Sequence, residues 1–376
     1  MAASDWNRLA EGGGPFLRHE FLTALERSGS ASAETGWQPS HLILMRGNKV
    51  CGAMPLYLKS HSWGEFVFDH AWAEAFHRAG RVYYPKLVSC IPFTPVTGPR
   101  ILAAGEQEKE VTGRLLADTA TSLCRQLGAS SLHVLFPSED AIPLLRESGL
   151  LARKDCQYHW RNHDYRDFDH FLEGFRSARR KKLRRERRRV AEAGIRFRTI
   201  PGTDLDDDLL DTIYRMHAVT FMRRGQAPYL NHECFRLLRD SLAGEMVVVL
   251  AERSENPVAC AISFRDETTL YGRYWGAVEE HHSLHFETCF YQGIDFCIRE
   301  GLRRFEPGAQ GEHKLRRGFD PTVTWSAHWI ADAAFAAAIG DYLHREADWV
   351  DRYVIDARDQ LPFHRDGRRR EPGDNS

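Results

Sequence analysis

The sequence predicts a mixed α/β protein built as two domains, each with its own mixed and mostly antiparallel sheet. Three observations carry that prediction. The chain has 376 residues, more than one core ordinarily organises and comfortable for two. Each half reads as a helix, two or three strands, a helix, a strand, a helix and a strand, which is not the clean alternation of a parallel sheet. Apolar residues make up 43% and charged residues 27%, an ordinary globular balance that allows a core in both halves.

The elements follow in order. Residues 16–29 read as a helix ending at Gly29. Apolar runs at 41–45 and 50–59 flank Gly47 and Asn48, a hairpin signal. Pro85, Pro92, Pro95 and Pro99 keep 76–100 extended or turning. A helix over 106–127 holds Val111, Leu115, Leu116, Ala120 and Leu123 at helical spacing. A strand at 131–136, a helix at 141–148 and a strand at 152–160 close the first half. A composition break at 161–167 sets the boundary, giving domains 1–166 and 167–360 and a polar, disordered tail at 361–376. In the second half 168–193 reads as helical, closed by Gly194, before a strand at 195–200. Asp204 is the expected cap of a helix whose first turn carries Asp206, Asp207 and Asp208. Strands at 246–252, 258–265 and 269–277, a helix at 284–299, strands at 303–306 and 322–330, and a helix at 333–349 complete it.

A net charge of −1 sets up no overall field toward nucleic acid or membrane. The first 21 residues hold no apolar core of signal-peptide length. No apolar run approaches the roughly 20 residues of a membrane span. Eight cysteines, none in a CxxC pair, read as scattered reduced thiols. The expectation is a cytoplasmic protein with no metal site and no tightly bound cofactor. No GxSxG motif supports a serine nucleophile.

Local charge is more informative. Residues 176–189 read RSARRKKLRRERRR. A helix this basic repels itself and needs an anionic partner or neighbouring acids. Arg184, Arg185, Arg188 and Arg189 are the candidate phosphate ligands, with the acids at 204–211 as the alternative counterweight. In 305–320, Gly308, Gly311 and Gly318 are interleaved with Gln310, His313, Lys314 and Arg317, a pattern that lets backbone approach a ligand closely; a solvated loop is the plainer reading. His285 and Glu287 are candidates for a general base, or simply a helix start. Asp69, Trp72, Tyr83, Tyr84 and Lys86 suit an amine or sugar, or an ordinary core. Arg273 and Trp275 border a cleft or merely alternate along a strand.

The stretch FEPGAQGEHKLRRGFDPTVTWSAHWI at 305–330, with GEFVFDHAWAEAFHRAG and YYPKLVSCIPFTPVTGPR earlier in the chain, resembles a bacterial family described as N-acyltransferases and similar to the Fem peptidyl transferases of peptidoglycan assembly. The resemblance implies two tandem acetyltransferase-like (GNAT) domains, the first shaping the acceptor site. It implies an acyl donor, either acyl-CoA or aminoacyl-tRNA, and an amine acceptor such as a cell-wall precursor. Lys314 matches the family lysine held to stabilise charge on the transferred acyl group, with Arg317 and Gln310 positioning donor or acceptor. Two departures stand out: no glycine lies between Gly276 and Gly293 where a CoA pyrophosphate loop belongs, and no long heptad arm is inserted. The first favours aminoacyl-tRNA or a bulky acyl carrier over plain acetyl-CoA. The candidate partners of the basic helix are tRNA phosphates (an RNA contact), a nucleotide-linked substrate or an anionic membrane surface. A catalytically silent module binding a cell-wall precursor or nucleic acid is the other reading.

Overall fold

The computed structural model describes residues 1–364 apart from Arg224 and Gln310. The chain forms two compact, interleaved units: Met1–Cys156, Tyr229–Ser241 and Val323–Tyr353 make the first, and Gln157–Pro228, Leu242–Thr322 and the segment from Val354 on make the second. The chain first crosses between them at 156/157, inside the strand Leu151–Arg161, rather than at the polar break after 161.

In the first unit, Trp37–Pro39, Tyr57–Lys59, Lys86–Ser89, Ser131–Leu135 and the strand Asp320–Ile330 follow one another across a mixed sheet. Lys86–Ser89 and Ser131–Leu135 are parallel, and the other pairs are antiparallel. Every residue of Ser131–Leu135 is buried, as expected of a central strand covered on both faces. The helix Lys109–Gln126 lays Leu116, Ala117, Ala120 and Cys124 against Leu87, Leu132 and Val134. The apolar run at 50–59 is two strands, not one. Pro55 lacks the N–H a ladder needs, so Lys49–Met54 joins a three-stranded sheet while Tyr57–Lys59 joins the large one.

In the second unit, Leu151–Arg161, Arg304–Glu306, Thr269–Ala277, Asn256–Arg265, Met246–Arg253 and Ile195–Pro201 are neighbours in that order. Only Thr269–Ala277 and Arg304–Glu306 run parallel. The helix Asp207–Met222 packs directly on the sheet at Gly276, where a Cβ would collide with the Met216 and His217 backbone. That helix is capped by Asp206, whose carboxylate accepts from Leu209 N at 2.8 Å. Asp204 is not the cap, because Gly202–Asp204 form a separate 3₁₀ turn after the strand.

Three other expectations are corrected. Residues 168–193 form two helices, Phe168–Glu173 and Ser177–Glu192, separated where Phe175 drops into a cluster with Phe171 and Phe363. The last helix runs Ala333–Asp359, ten residues past its expected end, since no glycine or proline interrupts it after Gly340. Residues 361–364 of the expected tail are held in place: Arg176 N donates to Pro362 O at 2.9 Å and His364 N to Gly174 O at 2.9 Å. Residues 365–376 lie outside the described residues. The helix His232–Leu242 has no counterpart in the sequence reading. No helix among the described residues is long and apolar enough to cross a membrane.

Candidate functional site

The second unit contains a cavity of about 1080 Å³ between the basic helix, the start of the helix at Leu284, and the 3₁₀ segment Glu312–Arg317. Arg176, Arg179, Lys182, Arg185, Arg189 and Arg316 all line it. Positions 176, 179, 182, 185 and 189 step by three or four, so the cations share one helix face. Leu183 and Val190 are buried and fix that helix to the unit. Among the described residues, Arg176, Arg179, Lys182, Arg185 and Arg316 have no carboxylate partner. The other arginines of the helix do: Arg184 meets Asp169 at 2.9 Å, Arg187 meets Glu287 at 3.1 Å and Asp295 at 2.6 Å, and Arg188 meets Glu192 at 3.4 Å. Arg189 instead lies 3.4 Å from His282 Nε2. Of the four arginines proposed from sequence as phosphate ligands, Arg185 and Arg189 therefore face the cavity, and Arg184 and Arg188 do not line it. Arg176, Arg179, Lys182 and Arg316 were not among those four, although the basic run at 176–189 takes in the first three. Helical periodicity applied to charge, rather than to apolar residues, would have found the first three.

Arg317 also reaches the cavity wall, but it is committed to the protein. Its guanidinium bonds Glu186 at 3.0 Å and the Tyr291 hydroxyl at 3.0 Å, and lies 3.4 Å above the Phe286 ring. Tyr291 in turn donates to Glu186. This buried cluster ties the basic helix to the loop that carries Lys314. His313 lines the same wall, its ring 5.6 Å from those of Phe286 and Phe290.

The segment Glu312–Arg317 is two-sided. His313, Leu315 and Arg316 turn toward the cavity, while Lys314 turns inward, 3% exposed, and donates from Nζ to Gly308 O at 2.7 Å. Burial lowers the Lys314 ammonium to about 7, and the nearby Arg273 charge acts in the same direction. Gly308 and Gly311 have φ of 97° and 116°, backbone that glycine alone adopts readily. Gln310 lies outside the described residues.

The general-base candidates are separated. His285 is exposed, its ring edge-on to Trp275 at 5.2 Å. Glu287 is buried, held by Arg187 and by Gln292 Nε2 at 2.8 Å, and burial raises its carboxyl. It opens a π turn, Glu287–Tyr291, in the middle of the helical stretch, a distortion frequent at functional sites. Trp275 packs on the core around Val190 and Leu284. Arg273 is the extra residue of a bulge, since Ile262 pairs with Tyr274 and Ser263 with Gly272.

The acceptor candidates of the first unit are bonded largely to one another and to neighbouring side chains. Lys86 is fully buried and donates to Glu65 at 2.8 Å, to Ser62 Oγ at 2.8 Å and to Asp69. Tyr83 donates to Asp69 at 2.7 Å, Tyr84 shares a hydrogen bond with Ser62, and Trp72 packs beside His133 and His328. Burial works to raise the Asp69 carboxyl, but the Lys86 ammonium outweighs it and holds it low. Burial lifts Glu65 to about 7 and pushes His133 down to about 3. These side chains are an interior polar network.

The family profile for FemAB-like proteins of peptidoglycan biosynthesis and recognition matches residues 1–365. The chain belongs to that family. No protein of curated function matches the sequence. The crystal structure of FemX superposes with a TM-score of 0.54 at 12% identity, covering 90% of this chain and 98% of FemX. L-PGS from Bacillus licheniformis gives 0.53 at 11% identity, covering 88% and 97%. A conserved protein of Bacteroides thetaiotaomicron gives 0.52 at 10% identity, covering 87% and 97%. At these identities the likeness is one of fold: a mixed α/β arrangement shared with FemX.

Proposed function

We propose that this chain transfers an acyl or aminoacyl group from a phosphate-bearing donor to an amine, within the peptidoglycan-related transferases its family represents. The observation that carries the reading is the row of cations, without carboxylate partners among the described residues, beside the loop that holds Lys314. A like-charged helix face costs a few tenths of a kcal/mol per i,i+4 pair, and phosphates relieve it. From Arg176 to Arg189 the face runs about 20 Å at 1.5 Å per residue. That length suits several phosphates of an RNA strand better than one pyrophosphate, and it favours aminoacyl-tRNA over acyl-CoA as donor.

In this scheme the donor's phosphates lie along the basic helix and its acyl carbon approaches Lys314. Amine attack generates a tetrahedral oxyanion, which a fixed ammonium in a water-poor site stabilises strongly. No covalent enzyme intermediate is needed. Arg317 acts by holding the loop and helix together through Glu186.

The test is transfer of label from a radiolabelled aminoacyl-tRNA mixture, and separately from acetyl-CoA, to Nα-acetyl-lysine. Transfer by the wild-type protein that is lost in Lys314→Met supports the reading. Tight tRNA binding without transfer from either donor would favour recognition alone.

A further inference from the structure

We infer that Glu306 is the proton acceptor for the attacking amine, an inference that rests on the transfer reading above. Thr269–Ala277 and Arg304–Glu306 pair in parallel only through Thr269 with Arg304, Leu270 with Phe305 and Tyr271 with Glu306. Past that point Arg304–Glu306 gives way to the loop at Pro307, while the neighbouring strand bulges at Arg273. Glu306 thus sits at the carboxyl end of a strand where a parallel pair stops, the position in which open α/β sheets bind ligands.

The side chain is built in and left incomplete. Glu306 is 5% exposed. Its Oε1 meets Arg304 Nε at 3.0 Å and lies 3.9 Å from His159 Nδ1, while Oε2 is buried with no hydrogen-bond partner among the described residues. A buried carboxylate oxygen without a partner is costly, and an amine proton is the partner it lacks. Burial lifts the carboxyl to about 7 despite the charges of Arg304 and Arg273, and Asp266 acts in the same direction. The groups facing it are Arg304 on its own strand, His159 on the next, and Tyr271 and Arg273 opposite. Lys314 anchors to Gly308, two residues further along, and the Arg273 charge acts on both Glu306 and Lys314. A proton acceptor and an oxyanion stabiliser therefore flank one strand end. Glu287 likewise has an ion-paired Oε1 and a buried Oε2 with no partner among the described residues, but it belongs to the π turn Glu287–Tyr291 rather than to the strand end that leads to Gly308 and Lys314.

The step balances. The acceptor ammonium gives one proton to Glu306 Oε2, and the freed nitrogen lone pair attacks the acyl carbon. As the new C–N bond forms, the ester C–O bond to the donor ribose breaks. The leaving oxygen takes a second proton from nitrogen, and Glu306 releases its proton to solvent. With a thioester donor the bond broken is C–S.

Measuring kcat/KM against pH, with radiolabelled aminoacyl-tRNA and Nα-acetyl-lysine, tests the assignment in wild type, Glu306→Gln and Glu306→Asp. The expected wild-type profile peaks near neutral pH, rising as Glu306 loses its proton and falling as Lys314 loses its own. Glu306→Gln should be roughly 10²–10³-fold slower and lose the rising limb, and Glu306→Asp should partly restore both. A Glu306→Gln protein with an unchanged thermal midpoint and the wild-type pH limb would overturn the assignment while leaving the transfer reading intact. A wild type inactive with aminoacyl-tRNA and acetyl-CoA alike would overturn both.

Discussion

Lys86 in the first unit and Lys314 in the second are both buried lysines, and their surroundings differ in a way that separates architecture from chemistry. Lys86 has two carboxylates and a hydroxyl, and those carboxylates outweigh burial and raise its ammonium above the ordinary value. Lys314 has one backbone carbonyl, and burial brings it to about 7. A saturated cation holds a fold together. An under-coordinated one has capacity left for a substrate oxygen.

Substitutions sharpen that contrast, beginning with the largest effect. Lys86→Met leaves Glu65 and Asp69 without their cation. Breaking a buried pair in this way costs about 3–5 kcal/mol, visible as a lower midpoint in urea or heat. Any loss of transfer should then track the unfolded fraction. A Lys86→Met protein as stable as wild type would break the comparison from the first unit's side.

Lys314→Met should do the reverse. It should lower turnover roughly 10²–10³-fold, with the unfolding midpoint near wild type, because the variant also removes the burial penalty of an ammonium. Turnover within a few-fold of wild type would remove Lys314 from the chemistry.

A smaller effect comes from pH. Burial raises the Glu65 carboxyl from its ordinary 4.5 to about 7. Between those values the folded chain holds a proton that the unfolded chain releases, so Glu65's contribution to stability falls as pH rises through that window. Glu65→Gln stays neutral and should flatten that part of the stability profile, as read from urea midpoints at pH 5 to 8. An unchanged slope would mean that Glu65 is not protonated in the fold. Asp69, held low by Lys86, loses its contribution only as pH falls below the ordinary carboxylate range.

Much of the fold was legible in the sequence, because apolar periodicity and glycine or proline punctuation report directly on local backbone. The run Met246–Arg253 and the hairpin at Gly47 and Asn48 are examples. What failed needed tertiary information. Pro55 divides an apolar run between two sheets, Phe175 interrupts a helix that its charges would continue, and Asp206 rather than Asp204 caps the next one. In the site, glycine spacing and density of charge pointed to Lys314 and to the basic helix. The direction of each arginine depends on helical phase and on where acids such as Asp169 and Asp295 are placed by other elements. Glu306 carried no local signal: its burial and its unpartnered oxygen exist only once the parallel pair ends beside it.

The most direct test of the central claim, that Arg176, Arg179, Lys182 and Arg185 hold donor phosphates, is the salt dependence of tRNA binding. Uncharged tRNA would be titrated against wild type and the Arg176→Gln, Arg179→Gln, Lys182→Gln, Arg185→Gln protein. Potassium chloride would be varied over roughly 50–200 mM, where such contacts change affinity steeply. Wild type should bind tightly and with steep salt dependence. In the folded quadruple variant the log–log slope should be shallower by about 0.7–0.9 for each phosphate contact removed. Equal affinity and equal slope in the two proteins would contradict it.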